Sequence, residues 1–200
     1  VLTDTLGSYT VTYNVTDSSG NPAVEVTRTV DIVDTTIPVI TITGDDPQTV
    51  EVNTAYTEAG ATALDNYDGD ISGDIVIDTS DIDINTVDSY EVTYNVTDAS
   101  GNDAVEVIRA VNVVDTTSPV ITLTGDNPQQ VEFETSYTEL NATADDNYDG
   151  DISGDIVIDA SAVDVNTLGD YSVTYNVTDA SGNAAIEVTR TVEVRDTTAP

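Results

Sequence analysis

The sequence has no cysteine, no histidine and no lysine, and its only cationic side chains are four arginines. Without cysteine there can be neither a disulfide nor a thiolate metal site. Without Cys, His or Lys the usual pairings of nucleophile and base are unavailable, which argues against an enzyme. Paired carboxylates alone can hydrolyse glycosides, but the acidic clusters here recur identically and lack aromatic sugar platforms. The 38 acidic side chains give a formal charge of −34. That speaks against nucleic acid as a partner, because such binding rests on clusters of Lys and Arg. No apolar run reaches the ~18 residues of a membrane-spanning helix. The sequence shows no initiator methionine or signal peptide and opens in the middle of a pattern, so we expect an internal piece of a longer protein.

What is present is acidic and β-branched. Hydrophobic residues make up 38% of the chain, mostly Val, Ile, Ala and Tyr. That is enough for several small cores, so the acidity does not imply disorder. A balance this acidic points to cations, high solubility or a salty milieu. A small domain without disulfides often takes a metal as its staple.

Self-comparison reveals the organisation. "YNVTD" starts at Tyr13, Tyr94 and Tyr175, and "DTT" at Asp34, Asp115 and Asp196, each 81 positions from the next. Residues 34–114 and 115–195 therefore form two complete repeats that align without a gap. Residues 1–33 match only the closing part of a repeat, and 196–200 only the opening of another. Within a repeat the pattern is that of strands. In "SYEVTYNVTD", Tyr90, Val92, Tyr94 and Val96 alternate with Glu91, Thr93, Asn95 and Thr97, a period of two. "PVITITG", "DIVID" and "AVEVIRAVNVV" read as further β-branched strands bounded by Gly, Asn, Asp and Pro. About seven short strands per repeat fit an all-β fold of tandem immunoglobulin-like β-sandwich domains. Tyr90, two residues before an inward Val92, fits the tyrosine corner. Residues 1–33 then correspond to strands F and G alone, a hairpin that is marginal by itself, so upstream residues are expected to complete it.

The series "DTT.PVITLTGD", "DNYDGD", "Y.VTYNVTDASGN" and "R.V.VVD" resembles the bacterial surface immunoglobulin-like repeats over the whole chain. That resemblance implies a sandwich fold, an extracellular or cell-surface location and calcium binding. It leaves the parent protein open.

The sandwich topology brings acidic segments together without appeal to the family. Strand A leaves the leading pole and strand B returns to it, so the B–C loop lies there, as does the F–G loop. The first complete repeat thus gathers Asp34 from the linker, Asp65, Asn66, Asp68 and Asp70 from "LDNYDGD", and Asp98 and Asn102 from "TDASGN". The second gathers Asp115, Asp146, Asn147, Asp149, Asp151, Asp179 and Asn183. Hard oxygen donors in that number suit Ca²⁺ better than Mg²⁺, zinc or copper. "DNYDGD" lacks the spacing and closing Glu of an EF-hand, and alone it is only a turn signal. The ions are expected near Asp68 and Asp149. Asp17 and Asn21 lack partners of this kind, so the partial repeat should bind poorly. A solvated acidic loop copied by duplication is the alternative.

The function expected is a calcium-rigidified extracellular stalk of an adhesin-like surface protein, with calcium ions and neighbouring repeats as partners. The alternatives are a protomer of a filament or matrix, or an accessory, carbohydrate-binding module of a secreted hydrolase. The sequons at Asn14, Asn95, Asn141 and Asn176 read as repeat composition. Alternation in strand G places Arg109 and Arg190 on the apolar face. Either they pair with Glu58 and Glu139, or they lie exposed on an edge strand.

Overall fold

A computed structural model describes residues 4–200. The described chain falls into two compact units. One takes the residues up to Gln48 with Thr57–Ile82 and Ser89–Val111; the other takes Thr49–Tyr56, Asp83–Asp88 and Asn112–Pro200. Among the described residues there is no α-helix, and no helix is long and apolar enough to cross a membrane.

Among the described residues sixteen strands follow in order. A hairpin, β1 (Gly7–Tyr13) and β2 (Val26–Ile32), comes first. Then come β3 (Val39–Ile42), β4 (Gln48–Glu51), β5 (Ala61–Asp65), β6 (Gly69–Asp70), β7 (Val76–Asp78), β8 (Asp88–Asn95) and β9 (Val107–Val114). The same seven recur as β10 (Val120–Leu123), β11 (Gln129–Glu132), β12 (Ala142–Asp146), β13 (Gly150–Asp151), β14 (Val157–Asp159), β15 (Gly169–Asn176) and β16 (Val188–Arg195).

In the last copy β10, β12 and β13 make one antiparallel sheet, and β11, β16, β15 and β14 make the other. The first strand of the sandwich is therefore split. Its β10 half pairs with β12, while its β11 half crosses over to lie parallel to β16, with Gln129 opposite Val192. The crossing is made at "TGDNP", where Gly125 has φ +75°, a conformation that β-branched residues avoid. Period-two alternation then fills the space between the sheets. Ile121, Val131, Ala144, Val173, Tyr175 and Val192 form one buried cluster. In the preceding copy the sheet orders are the same. Val92, Tyr94 and Val96 are buried there while Asn95 is exposed, as the alternation requires.

The arginines settle between their two readings. Arg109 and Arg190 are both 0% exposed, and β16 lies between β11 and β15 rather than at an edge. The edge-strand reading is therefore wrong, because the crossed-over half of the first strand covers strand G. Arg190 donates to Glu139 at 3.1 Å and to the carbonyls of Thr124 and Asn141. Tyr137 and Tyr175 donate their hydroxyls to the same carboxylate. Arg109 donates to the Tyr94 hydroxyl at 2.8 Å and to the carbonyls of Thr43, Asp45 and Gly60, with Glu58 at 3.6 Å. A buried guanidinium is tolerated only when paired and hydrogen-bonded in this way.

The hairpin β1–β2 keeps the same register as its counterpart β15–β16, yet none of its described residues is buried. Tyr13, Val24 and Val26 are 50%, 91% and 63% exposed. The tyrosine corner is formed at Tyr171, whose hydroxyl donates to the Thr167 carbonyl at 2.8 Å, and at Tyr9, which donates to Thr5. The sequon asparagines Asn14, Asn95 and Asn176 each donate to a glutamate across the hairpin: Glu25, Glu106 and Glu187.

Candidate metal centre

The F–G turn is built by its own polar side chains. Asp98 accepts the Asn102 N–H and side-chain amide at 2.7 Å each, while Gly101 N–H closes the turn on the Asp98 carbonyl. Burial raises the Asp98 carboxyl, but the hydrogen bonds from Asn102, Ser100 and Gly101 outweigh it and hold it below the ordinary range. The B–C loop is pinned by Asp65, whose Oδ1 accepts the N–H groups of Tyr67 and Asp68. Asp68 reaches across to accept Ala99 N–H at 2.8 Å, tying the B–C loop to the F–G turn. The linker joins through Asn102, which donates to the Asp34 carbonyl at 3.3 Å.

These ties bring Asp34, Asp65 and Asp98 together, with one carboxylate oxygen from each lying within 4.8 Å of the others. Asp115, Asp146 and Asp179 meet in the same way in the next copy. Their supports are equivalent: Asp149 accepts Ala180 N–H, Asn183 donates to the Asp115 carbonyl, and Asp146 caps Tyr148 and Asp149. Asp65, Asp98, Asp115 and Asp179 are 9%, 7%, 7% and 7% exposed. The Oδ2 atoms of Asp34, Asp65, Asp115 and Asp146 are buried and accept no hydrogen bond. Carboxylates collected so closely, with oxygens desolvated and undonated, repel unless a cation lies among them.

The other candidates take supporting places. Asp68 and Asp149 serve the F–G turns. Asp70 and Asp151 turn away and accept the N–H and hydroxyl of Ser72 and Ser153. Asn66 lines a shallow cleft with Asp34 and Tyr67. The Asn147 carbonyl accepts the Asn53 amide at 3.1 Å. In the partial repeat Asp17 is exposed and bonds only within its own turn, to Ser19, Gly20 and Asn21.

Two residues escaped the sequence reading. Glu51, at the end of β4, accepts the Thr116 N–H at 3.1 Å and the hydroxyls of Thr116 and Thr117 at 2.6 and 2.7 Å. Glu132 holds Thr197 and Thr198 in the same manner. The Thr116 hydroxyl, with those of Thr117 and the linker N–H groups, keeps the Glu51 carboxyl below its ordinary range. Recurrence of Glu51 as Glu132 at the 81-residue interval, each serving the "DTT" that follows its repeat's last strand, was the signal available.

Fold and site together define a chain of tandem Ig-like sandwich repeats with carboxylate clusters at equivalent poles. The chain belongs to the family described as bacterial surface protein, Ig-like domain, which matches residues 1–32, 40–113 and 121–194. Among relatives, it is 34% identical over 202 residues to hyalin of Strongylocentrotus purpuratus, covering 94% of this chain and 16% of hyalin. It is 35% identical over 143 residues to an uncharacterized 81.3 kDa protein of Acholeplasma phage L2, covering 69% of this chain and 19% of that protein. The chain thus spans under a fifth of the length of either relative. Among solved structures, the lipoprotein BT2262 from Bacteroides thetaiotaomicron is 33% identical over 41% of this chain and 40% of its own, with a TM-score of 0.35.

Proposed function

We propose that these repeats are a calcium-rigidified spacer of an extracellular, adhesin-like surface protein, carrying other parts of that protein away from the cell. The observation behind this reading is the pair of three-aspartate clusters, in each of which two buried Oδ2 atoms lack any hydrogen-bond donor. The donors are hard oxygens, and the chain has no His or Cys to favour zinc or copper, so the residues fit calcium. Asp34, Asp65 and Asp98 would hold one ion, and Asp115, Asp146 and Asp179 another. The bound ion supplies the positive charge that lets linker, B–C loop and F–G turn stay together. Because Asp34 and Asp115 belong to the linkers, occupancy stiffens the connection between successive repeats. The surface location draws support from the family description.

Calorimetric titration of the chain with calcium tests the proposal. Uptake at two sites at or below millimolar concentration is expected, and its absence refutes the reading.

A further inference from the structure

The Asp34–Asp65–Asp98 and Asp115–Asp146–Asp179 clusters share their residue types. In the second, two of the three carboxylates are followed in sequence by residues gripped from another segment of the same compact unit. Asp115 is followed by Thr116 and Thr117, whose N–H and hydroxyls are held by Glu51. Asp146 is followed by Asn147 and Tyr148. The Asn147 carbonyl accepts the Asn53 amide at 3.1 Å, and the Tyr148 hydroxyl accepts Val87 N–H at 3.3 Å.

We infer that Glu51 is a positioning residue for the Asp115–Asp146–Asp179 cluster. The inference rests on the calcium reading above. Glu51 does not join the cluster. It acts by fixing the backbone of Thr116 and Thr117, and so the direction in which Asp115 presents its carboxylate. A ligand already held in place loses little freedom when an ion binds, so affinity rises without a new contact. Outer partners of this kind are commonly worth 10- to 100-fold in metal affinity. The same geometry recurs at Glu132 with Thr197 and Thr198, where it fixes the residues after Asp196.

Calcium titration calorimetry on the 200-residue chain in two backgrounds tests this. Asp65→Asn disables the first cluster and Asp146→Asn the second. Glu51→Ala is expected to weaken binding about tenfold or more in the Asp65→Asn background and to leave it within about twofold in the Asp146→Asn background. The double variant Thr116→Val, Thr117→Val keeps the Glu51 charge and is expected to reproduce the selective loss, which separates positioning from attraction by one more carboxylate. Glu51→Gln, which retains an acceptor for the threonines, should recover part of the affinity, and melting in chelator confirms that each variant folds. Equal losses in both backgrounds, no loss in either, or an unaffected double-threonine variant overturns the inference while calcium binding stands. A wild-type chain that takes up no calcium overturns both.

Discussion

A guanidinium with no exposed surface is the least expected residue in a sandwich this acidic, and its energetics can be measured. Arg109 lies over the Tyr94 ring, 5.8 Å from its centroid, and shares Glu58 with the hydroxyl of that tyrosine. Truncation removes the cation beside Glu58 and one donor each from the carbonyls of Thr43, Asp45 and Gly60, of which Gly60 keeps the Thr43 N–H. Arg109→Ala should therefore lose about 3–5 kcal/mol in urea denaturation with chelator present; a loss under about 1 kcal/mol would mean an exposed pair. Glu139 adds a pH signature in the other copy. Burial raises its carboxyl, but the hydroxyls of Tyr137 and Tyr175, the Asn141 N–H and Arg190 together bring it below the ordinary range. A carboxyl lowered on folding contributes stability that is complete above its unfolded pKa and disappears as the pH falls through the folded one. Glu139→Gln should thus flatten the acid side of the stability–pH curve, and an unchanged acid slope would contradict the shift.

At the scale of elements, the split first strand depends on a glycine that alternation alone would not single out. Gly44 has φ +80°, and a Cβ built on it would lie 2.8 Å from the Ala59 Cβ. Gly44→Ala combines a left-handed backbone with a clash against a side chain that cannot rotate away, so a loss of about 1–3 kcal/mol or more is expected. Gly73, which has open space around it, is the control, and Gly73→Ala should change stability by under about 0.5 kcal/mol. Equal effects at both positions would remove the crossing from the account.

The sequence made the long strands legible because β8 alternates without interruption, and the convergence of linker, B–C loop and F–G turn followed from strand count alone. It could not tell which of Asp65, Asp68 and Asp70 faces inward. In a loop without periodicity that choice is made by local capping, such as Asp65 Oδ1 on the Tyr67 and Asp68 N–H groups and Asp70 on Ser72. The crossing of the first strand was equally hidden, since β10 reads as a β-branched strand ending at a turn and "QQVE" of β11 has no comparable pattern. Its consequence, a covered strand G, is what decides the fate of the arginines. The hairpin β1–β2 remains a sequence-legible liability: with its apolar side chains exposed, its amides should exchange with solvent much faster than those of β8 and β15. Equal protection in hydrogen exchange would show that the hairpin has gained a core.

For the whole molecule the dominant quantity is a charge of −34, and under the proposed calcium reading it sets calcium and acid against each other. Removing the proposed cations would leave each aspartate cluster repelling itself within a chain that already repels. Chelation at low ionic strength should therefore lower the melting temperature, and added sodium chloride should restore part of it by screening the exposed charges. The buried clusters are screened least, so salt should not replace calcium completely. Acid acts in two stages. Calcium requires deprotonated carboxylates, so the ions should leave as the pH enters the carboxylate range. The same protonation relieves the repulsion that their departure exposes, and the carboxylate serving Arg190 stays ionised to a lower pH than an ordinary glutamate because its shift is downward. The sandwich cores should therefore survive calcium release and unfold only on further acidification. Calcium released to an indicator dye, followed against tyrosine near-ultraviolet circular dichroism along one pH titration, should give two separate midpoints with release at the higher pH. Coincident midpoints would mean that the clusters, and not the buried arginine networks, hold the cores together.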